Sequence, residues 1–117
     1  MSDLYKAAQV VMKDCMGVRP GEKVVVVADT PLQHLGQIMF EAAVNAQAEA
    51  QLLIMTPRAS NGQEPPAPVA GALLEADVAL LVTSKSLSHT RARKDANNKG
   101  VRIASLPGLT AEVMART

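Results

Sequence analysis

The chain has 117 residues, 48% of them hydrophobic and 20% charged, with a formal net charge of +1. That size and balance make one globular domain spanning residues 1–117 and exclude both a disordered state and a two-domain split. Aromatic residues are 2% of the chain, Tyr5 and Phe40 with no Trp, so the base-stacking platforms of single-stranded nucleic-acid binders are lacking, and the near-neutral charge excludes bulk nucleic-acid binding. Cys15 is the only cysteine, which rules out an internal disulfide and Cys-rich zinc patterns and fits a reducing, cytoplasmic location. The longest unbroken apolar stretches are five residues, far short of the roughly 20 that a membrane helix needs. The N-terminal MSDLYKAAQ lacks the pattern of a secretory signal. No membrane partner is expected.

In chain order, Ser2 caps a helix in which Leu4, Ala8, Val11 and Cys15 recur at three- and four-residue steps, closed by Gly17 in a left-handed C′ conformation. VRPGEK (18–23) turns the chain into Val24–Ala28, whose β-branched, unbroken apolar character predicts a strand buried on both faces of a parallel sheet. Thr30 followed by Pro31 predicts a helix start, with the Thr hydroxyl as cap and Leu32, Leu35, Met39, Ala42 and Ala46 as its apolar stripe. Gln51–Met55 reads as a second strand. Residues 56–68, with four prolines and a Ser-Asn-Gly turn, read as a surface loop. A short helix at Ala70–Glu75, a strand at Val78–Val82, a polar helix at Arg91–Lys99 closed by Gly100, and a fourth strand at Val101–Ala104 follow. After Leu106, Pro107 and Gly108, Thr110 caps a last turn or two of helix.

Every connection between strands is long enough for a parallel crossover. The expected fold is therefore a doubly wound α/β domain: a mostly parallel four-stranded sheet of order 2-1-3-4 with helices on both faces, a Rossmann-like three-layer sandwich. In such sheets ligands bind beyond the carboxyl ends of the strands, where the winding reverses. Two loops are expected there. One carries Asp29, Thr30 and, a turn later, His34; the other runs through Thr83, Ser84, Lys85, Ser86, Leu87, Ser88, His89, Thr90, Arg91 and Arg93.

The second loop opens a basic block: residues 85–102 carry a net charge of +5, whereas residues 1–84 carry −4. Hydroxyls, cations and the free amides of a helix start suit a carboxylate or phosphate. The plain alternative is that Ser88 or Thr90 caps the helix and the cations are its solvated face. Asp29, a histidine and a loop serine do not make a credible triad, because no G-x-S-x-G elbow is present. Dinucleotide and Walker-type phosphate motifs are also missing. Cys15, Met12, Met39, Met55 and Met114 read as packing residues. No metal site and no catalytic residue can be written from this chain.

Three stretches carry a resemblance: VRPGEKVVVVAD (18–29), the QEPP turn (63–66) before ADVALLVTS, and TSKSLSHTRARKDANNKGVRIASLPG (83–108). Together they look like the N-terminal domain of the thermophilic metallo-aminopeptidases of the T and S type, often called leucyl aminopeptidases. The resemblance implies an α/β N-terminal domain of a longer, homodimeric enzyme whose relatives include an iron-dependent ring-cleaving dioxygenase. It implies a divalent metal, zinc or cobalt for example, held by a C-terminal domain that this sequence does not contain, so no cofactor is expected here. The matched segment Ser86–Arg93 would lie near the interdomain cleft, making His89, Thr90 and Arg91 candidates for touching substrate. The expected role is an N-terminal, substrate-positioning domain that is not catalytic alone, whether the chain is a short reading frame or part of a longer enzyme. The alternatives are a self-associating structural protein, with homo-oligomers covering bared apolar surface, and a small-anion module built on Ser86, Ser88, Arg91 and Arg93. A peptide or small anion is the expected ligand.

Overall fold

The valine run at the start of the domain lies at the centre of the structure, a computed structural model that describes residues 2–60, 62–84, 87 and 90–105. Helix α1 (Ser2–Val10) runs into a π-helical turn (Val11–Cys15), then come β1 (Lys23–Asp29), a 3-10 turn (Thr30–Leu32) and α2 (Gln33–Asn45). The chain continues through β2 (Glu49–Met55), α3 (Ala67–Glu75), β3 (Val78–Val82), α4 (Arg91–Asn98) and β4 (Arg102–Ser105). Among the described residues the strands form one four-stranded sheet of order β2-β1-β3-β4. Every pairing is parallel, with Val26 opposite Leu52 on one side and Leu80 on the other. The α/β fold, its strand order and its helices around the sheet match the expectation.

Side chains alternate across a strand, so consecutive valines of β1 feed two different cores. Val24, Val26 and Ala28 join Val78, Leu80 and Val82 beneath α1 and α2, packed by Ala8, Met12, Leu35, Ile38, Met39, Ala42 and Ala43. Val25 and Val27 join Ala79 and Leu81 beneath α3 and α4, packed by Val69, Leu73, Ala92 and Ala96. Both central strands are thereby buried on two sides, which is why they read as unbroken apolar runs. One close approach sets the pitch of α2 on the sheet. A Cβ on Gly36 would stand 2.6 Å from the Cβ of Ala28, so only glycine lets the helix lie this near β1.

Several boundaries differ from expectation. The first helix widens into its π turn at Val11 instead of remaining α-helical to Cys15, while Gly17 does take the left-handed conformation, at φ +60°. Helix α3 begins at Ala67, three residues early, because Pro68 sits in the first turn, where its missing N–H costs nothing. β2 begins at Glu49 because its backbone pairs with β1 from Lys23 onward, whatever the polarity of the side chains. The expected helix after Thr110 lies outside the described residues.

At the amino edge, Asp77 ties three strands together. Its carboxylate accepts the Lys23 N–H at 2.9 Å, its own N–H donates to the Lys23 carbonyl at 2.9 Å, and its carbonyl accepts the Arg102 N–H at 3.1 Å. Beside it the Arg102 guanidinium donates to Glu22 Oε1 at 2.5 Å.

Candidate functional site at the carboxyl edge

The winding reverses between β1 and β3, where the connections leave toward opposite faces of the sheet. Asp29 ends β1 at this point and is fully buried. One carboxylate oxygen, Oδ2, accepts both the Ser84 N–H (2.7 Å) and the Ser84 Oγ–H (2.5 Å), so β1 holds the loop that follows β3 by two bonds on a single atom. The other oxygen, Oδ1, is buried and has no hydrogen-bond partner among the described residues. An unpaired buried carboxylate oxygen costs on the order of 1–3 kcal/mol, so its retention marks a constrained position.

The capping expectation for Thr30 is corrected here. Asp29, not Thr30, stands at the N-cap position, in extended conformation and with no side-chain cap bond, because its carboxylate is turned to Ser84. Pro31 lies in the first turn as expected, but that turn is 3-10. His34, exposed at the start of α2, lines an open depression of about 420 Å³ with Thr30, Pro31, Gln33 and Gln37.

At the start of α4, Thr90 is the cap: its hydroxyl accepts the Arg93 N–H at 3.2 Å and donates to the Leu87 carbonyl at 2.7 Å. The remaining free amides are occupied by a residue that the sequence reading did not single out as functional. Glu64 Oε2 accepts the Arg91 N–H at 2.7 Å and Glu64 Oε1 the Ala92 N–H at 3.1 Å. The chain thus supplies its own carboxylate where a ligand anion was expected. A clue was present in the sequence. The first turn of α4 has no acid of its own, and Glu64 is the only acid in the proline-rich loop. Of the other candidates, Arg91 is exposed and Arg93 is half-buried, its guanidinium donating to the Ile103 carbonyl at 3.3 Å. Ser86, Ser88 and His89 lie outside the described residues, as does any approach of His89 to His34. Among the described residues, no three His, Cys, Asp or Glu side chains converge. The described residues therefore offer no ligand set for the divalent metal, which the resemblance assigns to a C-terminal domain. No helix among them is long and apolar enough to cross a membrane.

The fold is that of an α/β domain whose winding reverses between β1 and β3. Two solved structures share this fold. The 2,5-dihydroxypyridine dioxygenase of Pseudomonas putida KT2440 is similar with a TM-score of 0.77 at 18% identity, over 97% of this chain and 36% of that one. Wild-type AmpT from Thermus thermophilus is similar with a TM-score of 0.56 at 15% identity, over 98% of this chain and 41% of that one. The likeness is one of fold, and the chain spans less than half the length of either protein. No family model and no curated protein matches the sequence.

Proposed function

We propose that this chain is the N-terminal, substrate-positioning domain of a metal-dependent, aminopeptidase-like protein and does not hydrolyse peptides by itself. The observation that carries the reading is the extent of the likeness: almost the whole chain superimposes on about two-fifths of two larger enzymes. One of those is a dioxygenase and the other is AmpT, which the resemblance of the sequence motifs points to as an aminopeptidase. A portion common to two such different chemistries is a scaffold on which each reaction is supplied from elsewhere. Amide hydrolysis by such a protein needs a metal to polarise the carbonyl and activate water.

The share of this domain is to present groups at the carboxyl edge. Asp29 fixes the start of the β3 loop through Ser84, and Ser86, Ser88 and His89, which follow in the sequence, are the substrate-touching residues of this reading. Thr90 ends the loop, and the exposed Arg91 offers a cation to a peptide carboxylate. Arg93, bonded to β4, steadies the base of the site. The small-anion alternative is less well supported, because Glu64 already fills the helix amides.

The test is an assay of the purified chain on peptide amides with added zinc, cobalt or manganese. The reading expects no release of amino acids above buffer. Release that co-purifies with the chain and disappears in Asp29→Asn would overturn it.

A further inference from the structure

Two features beside Asp29 take no part in the functional reading above. The first is the depression of about 420 Å³ at the start of α2, lined by Thr30, Pro31, Gln33, His34 and Gln37. It opens just after β1, and Thr30, the residue next to Asp29, is exposed on its wall. The second is the turn that leads into α2. No side chain caps it, neither from Asp29 at the N-cap of the 3-10 turn nor from Leu32 at the N-cap of α2. Its first-turn amides therefore lack the side-chain acceptors that Thr90 and Glu64 give α4.

Asp29 supplies the complementary half. It is fully buried and forms no ion pair with a described residue. Both bonds that it accepts fall on Oδ2, which leaves Oδ1 without a donor among the described residues. A buried carboxylate in that state favours a cation that also donates hydrogen bonds. An oxygen short of a donor and amides short of an acceptor therefore adjoin one polar depression. A metal ion would satisfy only the first and an anion only the second. A primary ammonium on a carbon that also carries a carbonyl satisfies both, because the ammonium donates and the carbonyl oxygen accepts. We propose that the depression beside α2 receives the amino-terminal residue of a peptide, its ammonium donating to Asp29 Oδ1 past Thr30 and its carbonyl accepting from the first turn of α2. The exposed amides of Gln33 and Gln37, each both donor and acceptor, then border the peptide bond. The inference rests on the functional reading for its choice of a peptide, and it adds which group of the peptide is recognised and where.

The experiment is an amide NMR titration of the full 117-residue chain with L-leucinamide, N-acetyl-L-leucinamide, ammonium chloride and magnesium chloride in turn, repeated on Asp29→Asn and Gln37→Ala. Saturable shifts around Thr30, Leu32, His34 and Gln37 are expected with leucinamide, its affinity falling about tenfold or more on N-acetylation or in Asp29→Asn. Gln37 is exposed on α2, so Gln37→Ala keeps the fold, and its expected severalfold loss of affinity decides the matter if Asp29→Asn does not fold. No leucinamide binding, equal binding of the acetylated form, equal shifts from either salt, or a folded Asp29→Asn chain that binds unchanged would overturn the proposal. Shifts confined to Ser84 and Thr90–Arg93, whatever the state of the amino group, would overturn it while leaving the functional reading in place. Peptide hydrolysis by the chain alone would overturn that reading and leave this binding intact.

Discussion

The carboxylate of Glu64 does at the start of α4 what a bound anion would do, and it does so from 27 residues away along the chain. It also anchors the loop between β2 and α3, so removing it frees two amides and one loop together. Glu64→Ala should lower unfolding free energy by about 1–2 kcal/mol in a urea titration. Added phosphate should then raise the melting temperature of the variant more than that of the parent chain, because the vacated amides become an anion site. Glu22 makes a different prediction, one of pH. Burial pushes its carboxyl upward, but the Arg19 N–H and the Arg102 guanidinium outweigh that effect and hold it below the usual carboxylate value. A depressed carboxylate stabilises the fold above its unfolded pKa, about 4.3, and that contribution is lost as pH falls through the lower folded value. Glu22→Gln should therefore be less stable than the parent at neutral pH, by no more than about 1 kcal/mol for a pair this exposed. The difference should close on acidification, as pH-dependent chemical denaturation of both chains would show. Beyond the clue that Glu64 is the lone acid of its loop, neither contact was legible in the sequence: periodicity and capping signals report on neighbours, whereas Glu64 and Arg91, or Glu22 and Arg102, meet only after the sheet has formed. Asp29 was legible as a strand-end acid at the winding reversal, but its bond to Ser84 was not.

At the scale of elements, the strands were the most legible part. Val24–Ala28 and Val78–Val82 are buried on both faces, so their burial left an unbroken apolar signature, and with long crossovers between strands it fixed the parallel order. Edges were less legible for the same reason: Glu49 and Ala50 belong to β2 by backbone pairing, which leaves no mark on side-chain polarity. The start of α3 was hidden because prolines mark loops and first helical turns alike. Gly36 gave no warning, since a glycine inside a helical stripe looks like a flaw until the strand beneath it is seen. Its substitution is the sharpest test of how α2 sits. Gly36→Ala would drive a methyl into Ala28 and should cost about 1–3 kcal/mol. The double variant Gly36→Ala/Ala28→Gly should recover part of that loss, and urea denaturation of the pair against each single variant reads it directly.

For the whole molecule, the charge segregation of the sequence becomes pairing in space. The acidic first part meets the basic block through Glu22 with Arg102 and through Glu64 with the start of α4, leaving Arg91 and Lys94 exposed near one end of the sheet. The proposed function places its ligand at the carboxyl edge, beside Asp29 and the start of α4, and not at the amino edge, where Asp77 ties the strands together. The measurement that tests this most directly is a titration of the isotope-labelled chain with short peptides, followed by amide NMR shifts. The account predicts saturable shifts at Asp29, Ser84 and Thr90–Arg93, with the peptide left intact. Shifts centred on Asp77 and the amino edge, or none at any peptide concentration, would contradict it.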